Sequence, residues 1–176
     1  MMLRAYLKAV ATAVCASAFA LLSPASASAD PVKDIQATAR VLTFLENDLG
    51  ARVVIGVVFD PARSESVAEK NAIIAAIGDG YSVGRLTVVG KPMEAGAIHG
   101  VKVIFVTHGV DFAAVGAETR AKRIIVVGSD FACVRSGACA IGIATDPTVQ
   151  IVVNRNALAA AGAALKAAFR MMIHEI

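Results

Sequence analysis

Histidine, cysteine and serine are the side chains through which this chain would do chemistry, and their spacing narrows what that chemistry is. His99, His108 and His174 fall in a loop, at a strand end and in the last turn of a terminal helix. No HxxxH, HxH or Cys-plus-His spacing occurs, so no metal site and no cofactor is expected. His174 reads as a cation favoured by a helix C-terminus. A G-x-S-x-G elbow is absent. Ser129, in Val127-Gly128-Ser129-Asp130, and Ser64 both read as helix caps rather than nucleophiles. No catalytic residue is therefore assigned, and a non-enzymatic protein is expected. An exported hydrolase ranks last, because no base stands next to a nucleophile in sequence.

Cys133 and Cys139 are too far apart for a C-x-x-C redox pair. In an oxidising compartment so close a pair is expected to be bridged. Closing the loop adds about 2 kcal/mol in the loop-entropy model and pins residues 129–138 to the strand that follows. A regulatory bond is the alternative, since a short surface loop is easily reached by reductant.

Small-ligand binding has the best local pattern. Asp60-Pro61-Ala62-Arg63-Ser64, Thr107-His108-Gly109 and Gly128-Ser129-Asp130 each follow an apolar run. In an open parallel sheet such loops meet beyond the carboxyl ends of the strands. Asp60, Arg63, Ser64, Thr107, His108, Ser129 and Asp130 bring hydroxyls, a cation and two helix N-termini, a set that can receive an anion. Loops entering helices carry these residue types for capping as well.

The elements that position these loops follow from periodicity. Asp34 to Leu49 steps its apolar residues by three and four, favouring a first helix, with a strand through Ala39 to Leu45 as the rival. Arg52–Phe59, Val101–Val106 and Arg123–Val127 are β-branched runs with hardly a polar break, as in parallel strands covered on both faces. Ser64–Ile77 and Asp111–Lys122 read as helices, and Tyr81–Val89 as a strand softened by Gly84. Cys139–Ala144 and Val149–Val153 are separated only by Thr145-Asp146-Pro147-Thr148, so they are expected to pair antiparallel. Asn154 then caps a long helix to the C-terminus, with Leu158, Leu165, Phe169, Met172 and Ile176 as its stripe. Gly162 inside it costs about 1 kcal/mol relative to Ala, which close packing on the sheet explains. The expected order is α-β-α-β-β-α-β-β-β-α. That is a single-domain α/β fold, a mostly parallel sheet flanked by helices with a C-terminal antiparallel hairpin and terminal helix.

Residues 1–29 read as a secretory signal peptide. Arg4 and Lys8 precede the apolar run Ala9–Leu22, and Ala27-Ser28-Ala29 ends in small residues. A span takes about 20 apolar residues, so a retained anchor is the lesser reading. Cys15 lacks a lipoprotein context and leaves with the tag. Cleavage near Ala29 leaves residues 30–176 as one domain outside the cytoplasm, in the periplasm, without ready access to ATP or NAD(P)H. The formal charge of +3 includes Arg4 and Lys8, so the exported part is close to neutral. No basic cluster appears, and nucleic-acid binding is disfavoured. With no Trp and 2 Tyr, an aromatic platform for sugars or bases is also disfavoured.

The stretch Arg123–Phe169 resembles the YfiR/HmsC-like periplasmic family. It has the apolar strand Ile124-Ile125-Val126-Val127 followed by Ser129-Asp130, then Gly137, Ile141-Gly142-Ile143, and a strand ending in Asn154. Ala159-Ala160-Ala161-Gly162 and a terminal helix follow. Val54-Ile55-Gly56-Val57 and the signal peptide fit as well. The resemblance implies an α/β fold and a non-enzymatic regulator that restrains a membrane-bound diguanylate cyclase from the periplasm, linking envelope redox state to cyclic-di-GMP and biofilm formation. Cys133 and Cys139 lie at about the place of a stabilising disulfide in that branch. A second disulfide of that branch has no counterpart, and Ala138-Cys139 stands where many members continue with Gly-Met. Both departures weaken the transfer of redox sensing more than that of the fold. The expected partner is the periplasmic domain of a membrane signalling protein, and a homodimer is a further candidate. The alternative is a periplasmic small-solute, anion-binding module that serves a transporter.

Overall fold

A computed structural model describes residues 30–176; the signal-peptide reading and Cys15 lie outside the described residues. Asp30 opens the first helix, α1 (Pro31–Leu42), its Oδ1 accepting from the amides of Val32 and Lys33 at 3.2 Å each, with Pro31 at the first helical position. The helix starts earlier and ends earlier than Asp34–Leu49. Beyond Thr43 the chain turns, and Leu45 bridges antiparallel to Leu165.

The three apolar runs are strands, β1 (Arg52–Phe59), β4 (Val103–Val106) and β5 (Ile125–Gly128). Between them lie α2 (Ser64–Ile77), β2 (Tyr81–Val83), β3 (Leu86–Glu94) and α3 (Phe112–Arg120). The expected single strand Tyr81–Val89 is instead a hairpin. Val83 pairs with Leu86, and Gly84 at φ +60° supplies the positive dihedral the tight turn needs. The short helix α4 (Phe131–Arg135) occupies what reads in sequence as a loop, and β6 (Ile141–Ala144) and β7 (Gln150–Val153) form the expected antiparallel hairpin.

The C-terminus departs most. Helix α5 (Arg155–Ala160) stops where Gly162 adopts φ +73°. The Ala163 amide donates to the Leu158 carbonyl (3.1 Å) and the Gly162 amide to that of Ala159 (2.9 Å), the hydrogen-bond pair of a Schellman stop. A Cβ on Gly162 would meet nothing nearer than Arg123 Cδ at 3.9 Å, so conformation rather than close packing requires glycine. The chain continues through α6 (Ala167–Arg170) to β8 (His174–Glu175), which pairs parallel with β7. Leu158, Leu165 and Phe169 are buried, whereas Met172 and Ile176 are exposed. His174 lies on a strand, so the helix-terminus reading of it falls.

The eight strands form one sheet, in the order β2-β3-β1-β4-β5-β6-β7-β8. Pairs β1–β3, β1–β4, β4–β5, β5–β6 and β7–β8 are parallel, while β2–β3 and β6–β7 are antiparallel. Side chains alternate between two cores. Val53, Ile55, Val57, Val103 and Phe105 pack on one face with α1 and α2. Val58, Ile104, Val106 and Val126 pack on the other with α3 and α4. No helix joins β3 to β4; residues 95–102 cross the second face instead, with Ile98 fully buried. Gly56 leaves room there, since a Cβ would sit 2.7 Å from Met93 Sδ and 3.1 Å from Ile104 Cγ2.

Candidate functional site

β1 leads into α2 on the first face, whereas its neighbour β4 leads into α3 on the second. The connections diverge, and a crevice opens between the carboxyl ends, where open α/β sheets hold ligands. A cleft of about 350 Å³ lies there, lined by Asp60, Arg63, Thr107, His108, Ser129 and Asp130 among others. The fold thus gathers six of the seven residues singled out in sequence. Ser64 is not in the lining and does not cap. It is the first residue of α2, the cap position belongs to Arg63, and no side chain bonds the helix start.

Ser66, buried on α2, anchors the floor. Its Oγ accepts from the Asp60 amide at 2.9 Å and meets Thr107 Oγ1 at 2.6 Å, while Thr107 Oγ1 donates to the Val58 carbonyl at 3.0 Å. Each hydroxyl has one proton, so the order is Ser66 to Thr107 to Val58. This chain ties the loops after β1 and β4 together.

Beside it, Glu69 holds His108. One carboxylate oxygen, Oε2, accepts from the His108 amide at 2.7 Å and faces Nδ1 at 2.9 Å. The Glu69 side chain is 9% exposed and the imidazole 43%. The Glu69 hydrogen bond raises the His108 pKa above the ordinary histidine value; burial opposes this, and the charges of Glu69, Asp130 and Asp34 add to it. Asp34, buried on α1, is pushed up by desolvation, against the Thr145 hydroxyl that donates to its Oδ1 at 2.6 Å. Asp34 Oδ2 and Glu69 Oε1 are buried with no hydrogen-bond partner among the described residues. Sequence reasoning passed over Glu69, Asp34 and Ser66. For two of them a signal was present: Ser66, Glu69, Ile73 and Ile77 follow one helical stripe, which places two polar residues on the side that faces the sheet.

Serine and histidine are not arranged here as a nucleophile and its base. Ser129 Oγ stands 3.4 Å from both imidazole nitrogens, off the line of the Nε2 lone pair, and Nδ1 is already claimed by Glu69. Proton abstraction from Ser129 is not set up. Nor is Ser129 a cap; Asp130 caps α4, its Oδ1 accepting from the Ala132 amide at 2.7 Å. Asp111 caps α3 in the same way, from Ala113 and Ala114. Two helix starts in the cleft are therefore closed by their own carboxylates. Arg63 is shared between Asp60 (3.6 Å) and Glu65 (3.9 Å). The lining mixes signs, with Asp60, Asp111 and Asp130 against Arg63 and His108. Among the described residues no group of three or more His, Cys, Asp or Glu could hold a metal ion.

A disulfide joins Cys133 on α4 to Cys139 ahead of β6, with Cα atoms 5.1 Å apart. Both cysteines are buried, so the ready access to reductant expected of a surface loop is not found. The same corner is locked twice more. Gly142 lies under α4, where a Cβ would come within 2.6 Å of Val134 Cγ2 and 2.7 Å of Phe131 Cδ1. Asn154 accepts from the Ala157 amide (3.0 Å) to cap α5 and donates Nδ2 to the Val134 carbonyl (3.0 Å).

Among the described residues no helix is long and apolar enough to cross a membrane. No protein-family model and no curated protein matches the chain. A solved structure from Vibrio cholerae O1 biovar El Tor, described as a conserved domain protein, is similar in fold, with a TM-score of 0.59 at 11% sequence identity. The match covers 84% of this chain and 60% of that one, so the chain spans less than two thirds of its neighbour's length.

Proposed function

We propose that this protein is an exported, non-enzymatic regulator of the YfiR/HmsC-like kind, which acts from the periplasm by docking on the outer portion of a membrane signalling protein. The partner implied by the resemblance is a diguanylate cyclase. One observation carries the reading: several of the positions quoted for the resemblance, Ser129, Asp130, Gly142 and Asn154, meet in one interlocked corner. Ser129-Asp130 starts α4, Cys133 is bonded to Cys139, Gly142 admits Phe131 and Val134, and Asn154 ties α4 to α5. A spaced set of small and polar residues is then a packing unit of this fold, which supports reading the motif as more than composition. The disulfide is compatible with an oxidising compartment. The Ser129–His108 geometry supports a role without catalysis.

The second reading, a solute-binding module for a transporter, is favoured by the cleft at the strand ends. Its anionic form is opposed by the Asp60, Asp111 and Asp130 carboxylates around that cleft. In-cell cross-linking with mass spectrometry separates the two, repeated with Cys133→Ser. Recovery of a membrane cyclase supports the regulator. No membrane partner, together with a large thermal shift from one small anion, replaces it with solute binding.

A further inference from the structure

We propose that the groove between α1 and β7 is the surface through which the protein docks, and that its occupant is an amphipathic helix with an acidic flank, from the outer portion of the membrane partner. The inference rests on the regulator reading above and names its contact face. On the first face of the sheet, α2 covers β1 and β3, and α1 reaches β6. Helix α5 stops at Gly162, Leu165 and Phe169 beyond it are buried on this same face, and a groove remains between α1 and the start of β7. Ile151, paired with Ile143, points to that face, and Val149, two residues earlier, is 66% exposed.

The cavity there is about 320 Å³. Ala37 and Val41 of α1 form one wall, and Val149 and Ile151 the other. Phe44 and Phe169, stacked at 4.4 Å with planes 5° apart, close one end. An apolar trough beside a helix of 12 residues, about 18 Å long, suits a helix of about three turns.

Charge selects among occupants. Lys33 and Arg40 stand on the α1 rim; Asp30 and Asp146 are beside Lys33, so the uncompensated charge is that of Arg40. Lys33 is held by Asp30 at 2.9 Å, whereas Arg40 makes no ion pair among the described residues. A second copy in a two-fold dimer that meets groove to groove offers Arg40 no carboxylate from its own lining. Residues 1–29 contain Arg4 and Lys8 but no Asp or Glu, so they offer Arg40 no counter-charge. A partner segment with apolar side chains flanked by carboxylates satisfies both features.

The test places a photo-cross-linking benzoylphenylalanine at Val149 of the full chain in cells, with a second probe at Arg135 on α4 as the control surface. The expected adduct is to an amphipathic segment carrying Asp or Glu, in the outer portion of a membrane protein. Its yield falls about tenfold with Arg40→Glu while the thermal transition stays in place. An adduct to a second copy, to residues 1–29 or to lipid overturns the proposal. If only the Arg135 probe captures a membrane protein, docking stands and this groove fails. If neither position captures one, the docking reading falls with it.

Discussion

The cleft at the strand ends and the groove beside α1 are similar in size and opposite in construction. The cleft is built from loops, and its shape is held by directional polar contacts, from Ser66 to Thr107 to Val58 and from His108 to Glu69. The groove is built from a helix and a strand, and its shape is held by burial, chiefly Phe44 against Phe169. Polar contacts depend on protonation and geometry; apolar ones depend on volume. Perturbations should therefore separate the two regions.

The largest effect is expected at the groove. Phe169→Ala removes a buried aromatic and should cost about 3–5 kcal/mol in urea unfolding. A cost below about 1 kcal/mol would show that the stacked pair is not part of the core. Next, Cys133→Ser with Cys139→Ser should lower stability by about 2 kcal/mol. Because the sulfurs lie beneath the cleft and away from the groove, cleft amides should lose hydrogen-exchange protection first. Equal loss at both regions would erase the contrast.

The third prediction concerns pH. His108 has a raised folded-state pKa, so its contribution is fully present below the unfolded value, about 6.5, and is lost as pH rises through the folded value. Asp34 is also raised. A carboxyl with a raised folded pKa is favoured protonated, so stability falls as pH rises from about 3.9 through its folded value. Both groups act in one direction, and the melting temperature should be higher at mildly acidic than at alkaline pH. The His108 share is modest because solvent screens an imidazole that is 43% exposed. Glu69→Gln should lower the His108 pKa measured by NMR, and an unchanged titration would reject the ion pair. Asp34→Asn should raise stability at neutral pH, since it removes a buried charge and keeps an oxygen for Thr145. Last, Val149→Asp should change stability by no more than about 0.5 kcal/mol while abolishing the cross-link formed by a probe moved across the groove to Gln36.

How legible these regions were differs for a physical reason. Asp60, Arg63, Thr107, His108, Ser129 and Asp130 could be named in advance because apolar runs mark parallel strands and ligands collect where such strands end. Asp34 could not, because it reads as a helix residue until packing turns it inward, and Glu69 left only its place with Ser66 on the α2 stripe. The groove was invisible. A continuous helical pattern runs through Gly162, and only the tertiary structure shows the Schellman stop and the groove between α1 and β7. Capping misled at Ser64 and Ser129, where Arg63 and Asp130 hold the cap positions.

Sequence by itself determined the α/β class, the strands around Arg52–Phe59, Val103–Val106 and Ile125–Gly128, the antiparallel β6–β7 hairpin and the Cys133–Cys139 pairing. All of these depend on periodicity or short separation, which one chain segment carries alone. Only the tertiary structure decided the carboxylate that holds His108, the exposure of Val149 and the burial of the disulfide. Each depends on which surfaces meet, and that is a property of distant residues such as Asn47 and Ala164, joined at 3.1 Å across the fold.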